Sequence, residues 1–429
     1  MSIVMESQDV DRLSNMPDEV LSEVLSLMPT KFAARTSILS KKWRYKWTLV
    51  TNIDIDVHPF HGLQNCCNFV DRVLDLCQTT EIKLFRLRFS NLWVQKSSMT
   101  KWINDAISLN VRDLDIQFAL LELPVSFFTC KTLTKLRIEN GSDFEVMDWQ
   151  TPFNLPCLKT LDIAIFSDPS LNAFRLIRGC PVLESLSLKI TWRGDEEDYI
   201  FRIPTLKHLK LSVPKCASII NKVVLNVPNL DSFCLDGTWC SLFVMEDFPS
   251  LVSVSFSFSE VRFVHLYVEL LKGITGAKSL SLDRASVRLP DASFLKFPNL
   301  KHLEFKSGYR LNWLFIFQFL ESCSELEQLF IQKPDMEQPC WTEPHSLPTC
   351  ILNNLTTIKY ENCMGREDEL QFLEYMLGNA QVLKTLAITF NSGLVEEETR
   401  LYAKFLKCPR ASRYCEIRFL GKSFGSASR

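Results

Sequence analysis

Histidine and cysteine crowd together once in this sequence, at His58, His61, Cys66, Cys67 and Cys77, which have the donor types of a zinc site. They lack the paired ligand spacing of zinc motifs, and Phe69, Val70, Val73, Leu74 and Cys77 recur on one helical face, so packing accounts for part of the set. The run Gly273-Ile274-Thr275-Gly276-Ala277-Lys278-Ser279 resembles a phosphate loop only superficially. Its lysine does not directly follow the second glycine, and the segment leads straight into a strand. A third group is basic: Lys31, Arg35, Lys41, Lys42, Arg44 and Lys46, with Trp43 and Trp47 interleaved and no acid between Lys31 and Thr48. Basic and aromatic residues together can grip nucleic acid, but this run is short and suits docking on an acidic protein surface better. With six histidines and no set of nucleophile, base and orienting group, the sequence shows no hydrolase.

The elements carrying that basic run are short. Ser14 or Asn15 can cap a first helix beginning near Pro17, where Asp18 and Glu19 favour its positive end. Val20, Leu21, Val24, Leu25 and Met28 recur at helical spacing, and Pro29 stops the helix because the residue before a proline avoids the α region. Thr30 is placed to cap a second helix through Ser37, and Ser40 a third on which Trp43 and Trp47 share a face. Two exposed tryptophans on so small a unit call for a partner surface.

Beyond this segment the pattern Leu-x-x-Leu-x-Leu returns about a dozen times. A loose copy starts at Val50, and clear copies start at Leu84, Val111, Leu133, Leu158, Leu183, Leu206, Leu230, Leu251, Ala277, Leu300, Leu326, Leu355 and Leu383. After Val111 successive copies lie 21 to 29 residues apart. That period predicts a leucine-rich repeat solenoid, in which each short strand turns alternate leucines inward and only stacking buries them. Several copies enter through a proline, as in Leu155-Pro156, Ile203-Pro204, Val227-Pro228 and Phe297-Pro298. The Asn or Cys that usually follows the strand is mostly missing, with Cys363 and Asn391 the exceptions, so the turns are expected to be irregular.

The residue between the paired leucines should face outward on the concave side. That row reads Arg88, Asp115, Arg137, Asp162, Ser187, Lys210, Cys234, Ser255, Ser281, Glu304, Phe330, Lys359 and Ala387. Arg88, Asp115, Arg137, Asp162, Lys210, Glu304 and Phe330 are candidate contacts for a target protein. The row has no basic stripe with stacking aromatics, which nucleic-acid grooves need.

Composition narrows the class. The 429 residues are 46% hydrophobic and the net charge is -2, so no general field draws nucleic acid or an anionic membrane. No basic leader precedes an apolar run and no long apolar window occurs, which predicts neither export nor membrane insertion. Fifteen cysteines without regular pairs fit reduced, mostly buried thiols, and hence cytoplasm, nucleus or both.

The N-terminal residues resemble the F-box, through Met16-Pro17, Met28-Pro29, Ser40-Lys41-Lys42-Trp43-Arg44 and Trp47, with methionine where the family has leucine before each proline. The resemblance implies binding to the Skp adaptor of a cullin-RING ubiquitin ligase, through Leu13, Met16, Pro17, Leu21, Val24, Leu25, Leu27, Pro29, Ser40, Trp43 and Trp47. The segment from Leu347-Pro348 through Glu369–Ala380 to Cys408-Pro409 resembles the FBD domain that follows leucine-rich repeats in plant F-box proteins. The expected architecture is α/β: a three-helix F-box (9–48), an irregular repeat solenoid (49–345), an FBD cap (346–420) and a flexible tail (421–429). The implied function is a non-catalytic substrate-recognition subunit of an SCF-type ubiquitin ligase; a non-degradative scaffold is the alternative. Hormone receptors of related architecture add a small molecule, but no residue pattern here marks such a pocket and no cofactor is expected.

Overall fold

The computed structural model describes residues 16–89, 94–146, 152–165, 170–190, 199–213, 222–239, 242–245, 248–261, 264–283, 295–306, 313–332, 341, 343–344, 346–391 and 398–423. The chain divides into two compact units, Met1–Thr191 and Trp192–Arg429.

The first unit opens with α1 (Asp18–Ser26) and α2 (Thr30–Arg35), then 3-10 turns at Thr36–Ile38 and Lys46–Leu49. Its strands are β1 (Asn52–Asp56), β2 (Leu84–Arg88), β3 (Asp113–Leu123), β4 (Lys135–Val146), β5 (Thr160–Ile165) and β6 (Ser185–Ile190), parallel and in chain order. Helices α3 (Leu63–Leu76), α4 (Lys96–Ser108) and α5 (Ser170–Arg178) lie in the connections, with a 3-10 turn at Val125–Thr129 in another. One strand per repeat, joined by a crossover, forces this parallel order. Inward residues are sealed: Phe85, Leu87, Leu114, Ile116, Leu136 and Ile138 are all buried, and Phe89 stacks against Trp102 and Phe118 at 5.8 and 5.2 Å.

The second unit contains β7 (Tyr199–Arg202), β8 (His208–Val213), β9 (Lys222–Asn226), β10 (Ser232–Trp239), β11 (Leu242–Met245), β12 (Ser253–Val261), α6 (Val264–Gly273), β13 (Ser279–Asp283) and β14 (His302–Lys306). It continues through α7 (Trp313–Ser322), β15 (Gln328–Gln332), α8 (Thr349–Asn353), β16 (Thr357–Cys363), α9 (Glu367–Asn379), β17 (Thr385–Asn391), α10 (Glu398–Lys407) and β18 (Glu416–Ser423). The repeat strands pair in parallel in the order β8, β10, β12, β13, β14, β15, β16, β17, β18. A second parallel sheet, β7-β9-β11, runs through the connections where the repeats return by strand rather than by helix. The irregular turns expected from the missing Asn and Cys residues take this form.

Trp313, Phe317, Trp341, Phe372 and Tyr375 form one aromatic cluster, in which Trp341 lies 5.6 to 6.1 Å from the other four rings. It joins α7 to α9. The start of α9 is fixed by Glu369, which is fully buried: its carboxylate accepts from the N–H of Arg366 and of Met364, both at 3.0 Å, and from the Tyr360 hydroxyl at 3.1 Å. Burial, then the charge of Glu369, pushes the Tyr360 pKa well above its ordinary value, so the hydroxyl remains a donor. β18 runs to Ser423, so residues 421–423, expected as tail, belong to the last strand; the rest of the tail lies outside the described residues. Among the described residues no helix is long and apolar enough to cross a membrane.

Candidate protein-docking surfaces

The N-terminal helices are held to the repeats by their own hydroxyls. Ser26 Oγ accepts from the Thr51 N–H at 3.0 Å, and Thr30 Oγ1 from the Asp54 N–H at 2.8 Å, while Asn52 Nδ2 donates to the Ser26 carbonyl at 3.1 Å. These bonds cover the free edge of β1. Ser22 Oγ donates to the Leu49 carbonyl at 2.6 Å, Lys83 pairs with Glu23 at 2.6 Å, and Lys46 pairs with Asp18. Thr30 therefore ties α2 to β1 instead of capping α2, whose N-cap is Pro29.

The residues expected to meet an adaptor separate into two sets. Leu21 and Leu25 turn inward and are buried, as are Trp43 and Trp47 at 8% and 9% exposure. The expected third α-helix with two exposed tryptophans is absent: residues 41–45 form a turn and Lys46–Leu49 a 3-10 helix that packs on α1 and α2, which draws both indoles into the unit. Met16, Val24 and Leu27 do face solvent, as do Pro17, Pro29 and Ser40; Leu13 lies outside the described residues. Sequence reasoning missed the rest of the outer face. Val20, Phe32, Leu39 and Tyr45 are exposed, Leu27 and Ile38 each to 83%. The signal was available in Ile38 and Leu39, two apolar residues just beyond the α2 pattern. Such side chains gain roughly 1.5–3 kcal/mol each on full burial, so a cluster of them marks a protein-binding face. Of the basic run, Lys31 is turned inward, donating to the Pro59 carbonyl and lying 4.1 Å over the Phe60 ring.

On the repeat face, the row between paired inward residues is in register as expected from Asp115 to Asp162 and from Lys210 through Cys234, Ser255, Ser281, Glu304, Phe330 and Lys359 to Ala387. Arg88 is the exception. The ladder aligns Phe85 and Leu87 with Leu114 and Ile116, so Arg86 opposes Asp115 and Arg88 opposes Gln117, one step further along the same face. Counting that repeat from Leu84 rather than Ile82 produced the slip.

Arg86 bridges two strands, reaching Asp115 at 2.8 Å and Asp54 at 3.2 Å. Burial alone would lower its pKa, but the hydrogen bond it donates to Asp115 and the charge of Asp54 raise it. Arg137 reaches Asp162 at 3.4 Å and Glu139 at 3.5 Å. Asp54, Arg86, Asp115, Arg137 and Asp162 thus alternate in sign across five strands and largely satisfy one another. In the second unit, three neighbouring strands carry only Ser, Cys and Asp on this face: Ser232, Cys234 and Asp236, then Ser253, Ser255 and Ser257, then Ser279, Ser281 and Asp283. Beside them Lys210 comes within 4.0 Å of Asp236, Lys306 pairs with Glu304 at 3.1 Å, and Lys359 lies 4.9 Å over the Phe330 ring.

The chemical candidates of the sequence do not converge. His58 pairs with Asp56 at 2.6 Å, Cys66 is buried with its thiol pushed up to about 12 by desolvation, and no group able to hold a metal occurs among the described residues. Gly273 to Ser279 is the end of α6, a turn and the first residue of β13. The twelve cysteines among the described residues are all free thiols.

Comparison with known families matches residues 13–52 to the F-box domain, 99–254 to the repeats described as "FBD-associated F-box protein At5g56370, LRR repeats", and 343–388 to FBD. The F-box/LRR-repeat protein At4g14103 of Arabidopsis thaliana is 30% identical over 352 residues, covering 75% of this chain and 91% of that protein. The FBD-associated F-box protein At4g10400 is 29% identical, covering 96% of this chain and all of its own length, and the F-box/FBD/LRR-repeat protein At5g56420 is 27% identical over 95% and 99%. Both these relatives are also from Arabidopsis thaliana.

Proposed function

The chain belongs to the plant F-box/FBD/LRR-repeat proteins, and from that premise we propose that it is a substrate-recognition subunit of an SCF-type ubiquitin ligase. F-box proteins of this kind generally act as substrate adaptors. The reading has one half bind a Skp-type adaptor and, through it, a cullin-RING ligase, while the repeats hold a target protein. Ubiquitin transfer then belongs to the RING subunit and its conjugating enzyme, and this chain supplies proximity. The assembly works in cytoplasm or nucleus, in keeping with the free thiols.

The observation that carries the reading is the apolar outer face of Val20, Val24, Leu27, Phe32, Ile38 and Leu39, left uncovered by the chain's own repeats. Its test is co-purification of the full chain with a Skp-type adaptor and cullin, using Leu27→Asp with Ile38→Asp. Both side chains are exposed, so the variant keeps its fold while binding should fall more than about tenfold, as removal of central apolar contacts does. Leu21→Asp is unsuitable because Leu21 is buried and its loss would unfold the helices. Undiminished adaptor binding by the double variant refutes the reading; an adaptor complex that never recruits cullin points to a scaffold.

A further inference from the structure

The two terminal strands of the repeats end differently. The free edge of β1 is covered by Ser26 and Thr30, whereas β18 pairs with β17 alone and ends its sheet among the described residues. The Glu416 N–H donates to the Lys384 carbonyl at 2.9 Å. Because main-chain groups alternate sides along a parallel strand, the N–H and C=O of Ile417 and Phe419 point to the open side. The core is unfinished there too. Leu386 and Ile388 of β17 are fully buried, but their register partners Ile417 and Phe419 are only half-buried, with no next strand to cover them.

This end is also basic. From Glu398, the first residue of α10, to Leu420 lie six basic residues, Arg400, Lys404, Lys407, Arg410, Arg413 and Arg418, against two acids, Glu398 and Glu416, in a chain whose net charge is -2. Lys404 pairs with Glu374 at 3.0 Å, Arg418 with Glu416 at 2.7 Å, and Arg410 donates to the Cys415 carbonyl at 2.8 Å. Arg400, Lys407 and Arg413 are exposed. Lys407 complements the negative end of α10, but Arg400 lies in its first turn and Arg413 beyond it, where the helix dipole gives no reason for a cation. Tyr414 is 87% exposed, and Leu406 and Leu420 are exposed as well, which adds uncovered apolar surface in this part of the sequence.

We propose that the open edge of β18 is a second docking site, which takes an extended acidic peptide segment of a partner protein as an added parallel or antiparallel strand. Strand addition supplies main-chain partners to Ile417 and Phe419, alternate apolar residues cover their side chains, and acidic residues meet Lys407, Arg413 and Arg418. Pairing of β18 with a second copy of itself is disfavoured because it sets basic ends against each other. The proposal does not depend on adaptor binding.

The test uses the full-length chain and a fluorescein-labelled peptide of alternating Glu and Val, with a Lys-Val peptide and oligothymidylate as comparisons. The Glu-Val peptide should bind, the Lys-Val peptide should not, and amide exchange over residues 416–421 should slow when the peptide is added. Lys407→Glu with Arg413→Glu should weaken binding about tenfold or more while Tm falls by no more than the small helix-end contribution of Lys407, since both side chains are at the surface. Failure of the Glu-Val peptide to bind, equal binding by the double variant, unchanged exchange in β18, or binding of oligothymidylate alone each overturns the proposal.

Discussion

Glu369 holds together more of its surroundings than any neighbouring side chain, since one buried carboxylate accepts from two backbone N–H groups and the Tyr360 hydroxyl. Replacing it by Gln turns one acceptor oxygen into a donor amide facing other donors. An unsatisfied buried group costs about 1–3 kcal/mol, so Glu369→Gln should lower Tm by several degrees in thermal unfolding. Adaptor binding should be untouched. The sequence could not reveal the burial of Glu369, because its partners come from β16 and the turn that follows. The slip at Arg88 has the same origin: Leu84 is as good a leucine as Ile82 is an isoleucine, and only pairing with β3 distinguishes Arg86 as the residue beside Asp115.

At the scale of elements, strands were legible wherever two inward residues alternate, because burial on one face imposes a period of two. The helix α9 has a sequence signal of the other kind, with Leu370, Leu373, Met376 and Leu377 at helical spacing. The turn over residues 41–45 was not legible, since Ser40 followed by basic residues and tryptophans satisfies a helix pattern, and the preference for the 3-10 turn comes from packing on α1 and α2. Nor could the bulge in β10 be read. There Gly237 has φ +107°, and a Cβ at this position would lie 2.1 Å from the Val213 carbonyl oxygen of β8. Gly237→Ala should therefore cost about 2 kcal/mol or more, from strain at positive φ and displacement of backbone. Gly276→Ala is the control, having no atom within 4 Å of its added Cβ. Equal denaturation midpoints for the two variants would contradict this account.

At the scale of the molecule, the N-terminal helices have two jobs: they present an apolar face outward and cover the first strand inward. A truncation lacking residues 1–50 should expose the β1 edge, and size-exclusion chromatography with light scattering should show a larger share of oligomers than for the intact chain. That double use also bears on how the protein is made. The bonds joining helices to β1, and β1 to β2 and β3, span only 24 to 32 residues of sequence. Short-range closure of this kind lets each turn settle as it leaves the ribosome, one behind the next. The apolar face of the N-terminal helices is then finished while the repeat face is still being synthesised, so on the proposed function a nascent chain would be open to the adaptor before it has anything to recognise.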